Sequence, residues 1–126
     1  MPQISKRKLH KNIATEINET FWEAISQLRS KSEIQSFLND LLSPIERQML
    51  SKRLAIACLL SRGYSYQSTQ EIIKVSFPTI AKVSITLNNN LGYKTTINKI
   101  AKADTIKGSS HFVSIDSKKW AHGGAV

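Results

Sequence analysis

Between Gly63 and Gly92 the chain is punctuated so closely that only two short helices on a sharp turn fit. Ser65 supplies a side-chain oxygen for an N-cap, and a helical stretch runs from it to Ile72 and Ile73. Lys74 and Val75 form a break. Ser76 caps a second helix, with Pro78 in its first turn, where the missing N–H costs nothing. From there Ile80, Val83 and Leu87 recur at i, i+3 and i+7, an apolar stripe on a helix over Ser76–Asn88. Thr79, Lys82 and Thr86 fall on another face. Short polar side chains and one cation on a free helical face suit the major groove of DNA. Residues 65–88 therefore read as a helix-turn-helix.

The flanks are helical too. Ile17, Phe21, Ile25 and Leu28 set a helix from about Thr15 to Arg29, with Trp22 beside the stripe. A break follows at Ser30–Ser32. Ile34, Phe37, Leu38, Leu41 and Leu42 mark a second amphipathic helix. Ser43-Pro44-Ile45-Glu46 is a capping box with proline at the first helical position, and it opens a helix from Pro44 to about Ser61. Ile45, Met49, Leu50, Leu54, Ile56, Leu59 and Leu60 cover more than half its circumference, so it is expected to be the central, most buried helix. Gly63 is its left-handed C-cap. Beyond Asn88-Asn89-Asn90 and Gly92, a short helix carrying Tyr93, Ile97, Ile100 and Ala101 should end near Ala103. The expected architecture is all-α and multi-helical. Residues 1–12 form a flexible basic arm, 13–103 a helical domain and 104–126 a flexible tail. Residues His111 to Ile115 in that tail could form a strand only with a partner.

A chain of 126 residues with 40% hydrophobic content suits one domain with a modest core. No run of about 18 apolar residues is present to cross a membrane. The basic start (Lys6, Arg7, Lys8, Lys11) has no apolar segment after it and does not read as a signal peptide. The single cysteine, Cys58, lies among Ala57, Leu59 and Leu60 as a core thiol with no disulfide partner in the chain. These features point to the cytoplasm. The net charge of +9 is uneven: residues 1–42 carry six Lys/Arg against five Asp/Glu, while residues 43–91 and 92–126 each carry six against two. Excess charge on the helix-turn-helix half and the tail favours a nucleic acid partner over a merely solubilising surface or an acidic protein.

Catalytic and metal-binding patterns are missing. His10, His111 and His122 sit in the arm and tail, unspaced for a metal set with each other or with Cys58. No glycine-rich phosphate loop occurs. Glu16, Glu19 and Glu23 share one face of an exposed amphipathic helix and read as a solvated face. No enzyme, metal or cofactor is expected.

Several pieces then occur in an order that resembles the Trp repressor superfamily: Leu41-Leu42-Ser43-Pro44-Ile45-Glu46-Arg47, Arg53, Leu59-Leu60-Ser61-Arg62-Gly63, Thr79-Ile80-Ala81-Lys82-Val83 and Leu87-Asn88. The spacing from Gly63 to Leu87, with Gly92-Tyr93 after it, is closer to the YerC/YecD-type members than to the tryptophan-sensing repressor. The resemblance covers about residues 30–103. It implies an all-helical, intertwined homodimer, with a twofold pair of recognition helices about one DNA turn apart. The chain departs from the family where it has Thr69 and Gln70 in the first motif helix. It also has Lys74 where a glycine is usual, and a left-handed conformation there costs about 1 kcal/mol. Carried over by position, the family's effector pocket would comprise Ser43, Arg53, Lys82 and Val83. Lys82 replaces an arginine that stacks better on an indole, and Val83 replaces a glycine that leaves room for the ligand. Tryptophan is therefore not expected as corepressor.

The function expected from sequence is a homodimeric, sequence-specific DNA-binding transcriptional regulator, repressor or activator. Thr79, Lys82 and Thr86 would face the bases or phosphates of the duplex, Gln67 and Ser76 the phosphates, and arm and tail lysines would add non-specific affinity. The alternative is a helical protein–protein interaction module that keeps the fold without DNA readout. RNA binding through the tail is weaker, since Phe112 and Trp120 are its only aromatics.

Overall fold

The computed structural model describes residues 10–107. Most of the expected arm and the tail beyond Lys107, with the candidate strand at 111–115, lie outside the described residues. Among these residues there are six helices and no strand: α1 (Lys11–Ser26), α2 (Lys31–Leu41), α3 (Pro44–Ser61), α4 (Tyr66–Ile73), α5 (Phe77–Asn89) and α6 (Gly92–Lys107). The chain divides into two compact units between Gln48 and Met49.

In the first unit, hydrogen bonding at the helix ends decides the boundaries. His10 caps α1, its Nδ1 accepting from the Asn12 N–H at 3.4 Å, so α1 starts ahead of the expected Thr15. It also stops ahead of Arg29. The Glu33 carboxylate accepts from the Arg29 N–H at 2.7 Å and the Ser30 N–H at 3.2 Å, drawing both toward the next helix. Ser30 Oγ accepts from the Glu33 N–H in return, at 3.1 Å. Residues expected as a plain break thus form a reciprocal capping box for α2. A second box follows as expected: Ser43 N–H donates to Glu46 Oε1 at 2.8 Å, and Glu46 N–H to Ser43 Oγ at 3.2 Å. The Ser43 N–H, and after it the Ser43 hydroxyl, hold the Glu46 carboxyl below its ordinary range. Arg47 ties the corner between α2 and α3 by donating to the carbonyls of Leu42, at 2.8 Å, and Asn39, at 3.3 Å.

In the second unit, α3 ends in a Schellman motif. The Tyr64 N–H reaches the Leu59 carbonyl at 3.1 Å and the Gly63 N–H the Leu60 carbonyl at 3.0 Å, with Gly63 at φ +92°. The core is Ile56 and Ala57 of α3 against Ile80 and Val83 of α5, edged by Leu60, Ile73, Val75, Tyr93 and Ile97. Cys58 is buried, as expected of a core thiol. α5 packs against both α4 and α6.

α3 holds more buried residues than any other helix among the described residues, as expected, but its burial is confined to one stretch. Only Ile56 to Leu59 are buried, whereas Ile45 is 69% exposed and Met49 and Leu50 are also exposed. A stripe wider than half a helix needs cover on more than one side, and α5 covers only the last turns. α6 runs past the expected Ala103 to Lys107, because no glycine or proline interrupts it before Gly108.

Thr69, on α4, is fully buried and its Oγ1 has no hydrogen-bond partner. A buried hydroxyl left unpaired costs about 1–3 kcal/mol, and valine fills the same volume without the oxygen. Thr69→Val should raise the unfolding free energy by about 1 kcal/mol. A urea titration reads it, and an unchanged or lower midpoint would show that the hydroxyl is satisfied in solution.

Candidate nucleic-acid interface

The starts of α4 and α5 are built the same way. Ser65 Oγ accepts from the Ser68 N–H at 3.0 Å and pairs with the Ser68 hydroxyl at 3.1 Å. Ser76 Oγ accepts from the Thr79 N–H at 3.4 Å and pairs with the Thr79 hydroxyl at 3.0 Å. Each cap thus satisfies one orphan N–H of its helix and fixes a second hydroxyl one turn on.

The three-residue turn between the helices hinges on Lys74. It adopts the left-handed conformation, φ 63° and ψ 57°, and its N–H donates to the Gln70 carbonyl at 2.9 Å. This is the geometry expected where a glycine would be unstrained. Val75, half-buried, packs on the core just after it. α5 then buries Ile80, Val83 and Leu87 along one stripe.

The expected DNA-facing residues divide accordingly. Lys82 and Thr86 are exposed on α5. Ser76 is exposed at its cap, and Thr79 is half-buried with its hydroxyl engaged by Ser76. Gln67 is exposed in the first turn of α4. What joins the two helix starts is an aromatic pair that sequence reasoning missed. Tyr66 and Phe77, the first residue of each helix, have ring centroids 6.2 Å apart at 52°. Gln67 and Ser76, their immediate neighbours, therefore belong to one end of the motif. A signal existed in the sequence: Ser65-Tyr66-Gln67-Ser68 and Ser76-Phe77-Pro78-Thr79 repeat one pattern of serine, aromatic, any residue and hydroxyl.

Of the candidate effector residues, Ser43 lies in the first unit and Arg53, Lys82 and Val83 in the second. Ser43 is engaged with Glu46 in the capping box. Arg53 is half-buried on α3, and Lys82 points to solvent. Val83 is buried in the core against Ile56, Ala57 and Ile80. A cleft of about 440 Å³ does exist in the second unit, but near the C-terminal ends of α3 and α5. It is lined by Arg62, Leu87, Lys94 and Ile97 among others, and by none of the four. Among the described residues no group of His, Cys, Asp or Glu could hold a metal ion, and no helix is long and apolar enough to cross a membrane.

The sequence profile of the family described as Trp repressor protein matches residues 16–101 of this chain, well over half of it. The chain belongs to the Trp repressor family. The match begins inside α1 and ends inside α6, so the family's span takes in all six helices in whole or part. A curated relative, the uncharacterized protein YerC of Bacillus subtilis (strain 168), is 28% identical over 95 residues, covering 75% of this chain and 90% of YerC. No solved structure gives a significant match. Within the Trp repressor family this chain keeps the all-helical architecture while carrying lysine in its left-handed turn.

That lysine generates a prediction. A β-carbon in the left-handed region costs about 1–2 kcal/mol, offset in glycine by about 0.5–1 kcal/mol of unfolded-chain entropy. Lys74→Gly should therefore stabilise the protein by up to about 1 kcal/mol in a thermal or urea melt. Destabilisation instead would mean that contacts of the lysine side chain hold the turn.

Proposed function

We propose that this protein is a homodimeric, sequence-specific regulator of transcription that reads duplex DNA with α4 and α5 as a helix-turn-helix. The observation that carries this reading is the division of α5. Ile80, Val83 and Leu87 anchor one stripe in the core, and Lys82 and Thr86 are left exposed on a helix whose start is open beside the start of α4. Helix N-termini attract phosphates through their free N–H groups and dipole. Ser76 and Gln67 would hold phosphates at that end, and Lys82, Thr86 and Thr79 would follow the groove. Membership of a family described as a repressor supports regulation rather than catalysis. The reading places the protein with DNA in the cytoplasm, with the tail lysines adding charge-driven affinity.

The homodimer rests on uncovered apolar surface. Ile13, Ile17, Phe21, Trp22, Ile34, Leu41, Ile45 and Leu50 are all exposed, far more than scattered surface residues would supply. A second copy is the occupant that twofold DNA reading requires. Light scattering at micromolar concentration should give about twice the chain mass of 14.1 kDa. A monomer up to tens of micromolar would overturn the dimer.

Duplexes selected from a random pool should share a palindromic site. On that site Lys82→Ala should lose about 1–3 kcal/mol and relax preference at one position if the lysine reads a guanine edge. Uniform weakening on every duplex would assign it to phosphate. Val83 fills the position where tryptophan would need space, so added L-tryptophan should leave affinity unchanged. No enriched sequence, with Lys82→Ala binding every duplex as well as the parent, would favour an adaptor that kept the fold.

A further inference from the structure

We infer that Tyr66 and Phe77 form an apolar reader that recognises thymine by its 5-methyl group. This rests on the duplex-reading function proposed above and names a specificity element within it. The two residues open the two motif helices, and their rings lie 6.2 Å apart, tilted by 52°. Despite that contact Tyr66 is 40% exposed and Phe77 is 48% exposed. The rings therefore support each other and still present an open apolar surface at the end of the motif that meets the groove.

Part of the hydrogen-bonding capacity of the hydroxyls beside them is already taken. The hydroxyls of Ser76 and Thr79 bond to each other at 3.0 Å, and Ser76 also accepts from the Thr79 N–H. Hydrogen-bond readout at the first turn of α5 is correspondingly reduced, and apolar readout becomes the larger contribution there. Among the base edges of the major groove the thymine methyl is the apolar group, and phenylalanine is one of the side chains that contacts it. A ring at the first helical position suits it, because the N-terminal residues of a recognition helix are those that approach base edges. Tyr66 acts as a positioning residue: its ring backs that of Phe77 and limits the directions in which Phe77 can lie.

The test uses the full chain and a duplex it has selected from a random pool. Each thymine is replaced in turn by deoxyuridine, which pairs identically and lacks only the methyl. At one thymine or more in each half-site the affinity should fall about four-fold, the effect of one buried methyl group. Phe77→Ala should bind the thymine site about as weakly as the parent binds the uracil site. It should also be indifferent to the replacement, while Phe77→Leu keeps part of the discrimination. Circular dichroism melts of both variants check that the exposed position can be changed without unfolding. The inference is overturned if no single uracil weakens the parent protein. It is equally overturned if Phe77→Ala suffers the same uracil penalty as the parent, the result expected of a ring that wedges between base steps or lies off the groove. Failure to select any duplex above charge-driven background would be a different result: it would remove the DNA-reading function itself, and this inference with it.

Discussion

Ile80 is wholly withdrawn from solvent against Ile56 and Ala57, and the position of α5 follows from that contact. One buried isoleucine contributes roughly 1.5–3 kcal/mol. Val83 and Leu87 extend the contact along the same stripe, which fixes the rotation of α5 about its own axis. With that rotation set, Lys82 and Thr86 have no choice but to face outward. The candidate interface is thus a consequence of packing on its opposite face.

α1 and α2 are in a different situation. Each is well capped, yet neither contains a buried residue. Isolated helices of such length are marginal in water, and capping adds only about 1 kcal/mol per end. Their apolar side chains, with those of the first turns of α3, need a covering surface. In the proposed dimer the same surface on a second copy supplies it, and burial rather than helix propensity then holds this half of the chain together.

Legibility in the sequence followed the reach of the forces involved. The serine caps, the proline in the first turn of α5, the Schellman glycine and the Ile80–Val83–Leu87 stripe are set by interactions within one turn or one helix, and each was readable. So was the membership of the family, carried by short runs in order. The Ser30–Glu33 box is readable in principle, but two serines around a lysine look like loop chemistry and read as a break. How far burial extends along α3 was not readable, because a hydrophobic pattern says that a surface wants cover, but not which residues of the same chain provide it. Tyr66 and Phe77 escaped because neither belongs to an apolar stripe. Their pairing appears only once the turn folds the two helix starts together.

The lysine in that turn also bears on how stiff the motif is. Glycine moves freely between left- and right-handed backbone regions, and a turn built on it is a loose joint. A residue with a β-carbon has one narrow left-handed basin, so Lys74 at φ 63° and ψ 57° sits in a steep-walled well. The angle between α4 and α5 then fluctuates less than it would on a glycine hinge. In the proposed DNA-reading role, a surface that arrives already rigid loses less conformational entropy on docking, and it adapts less readily to a poorly matched site. The strain held in one backbone dihedral pair is in this sense a form of preorganisation.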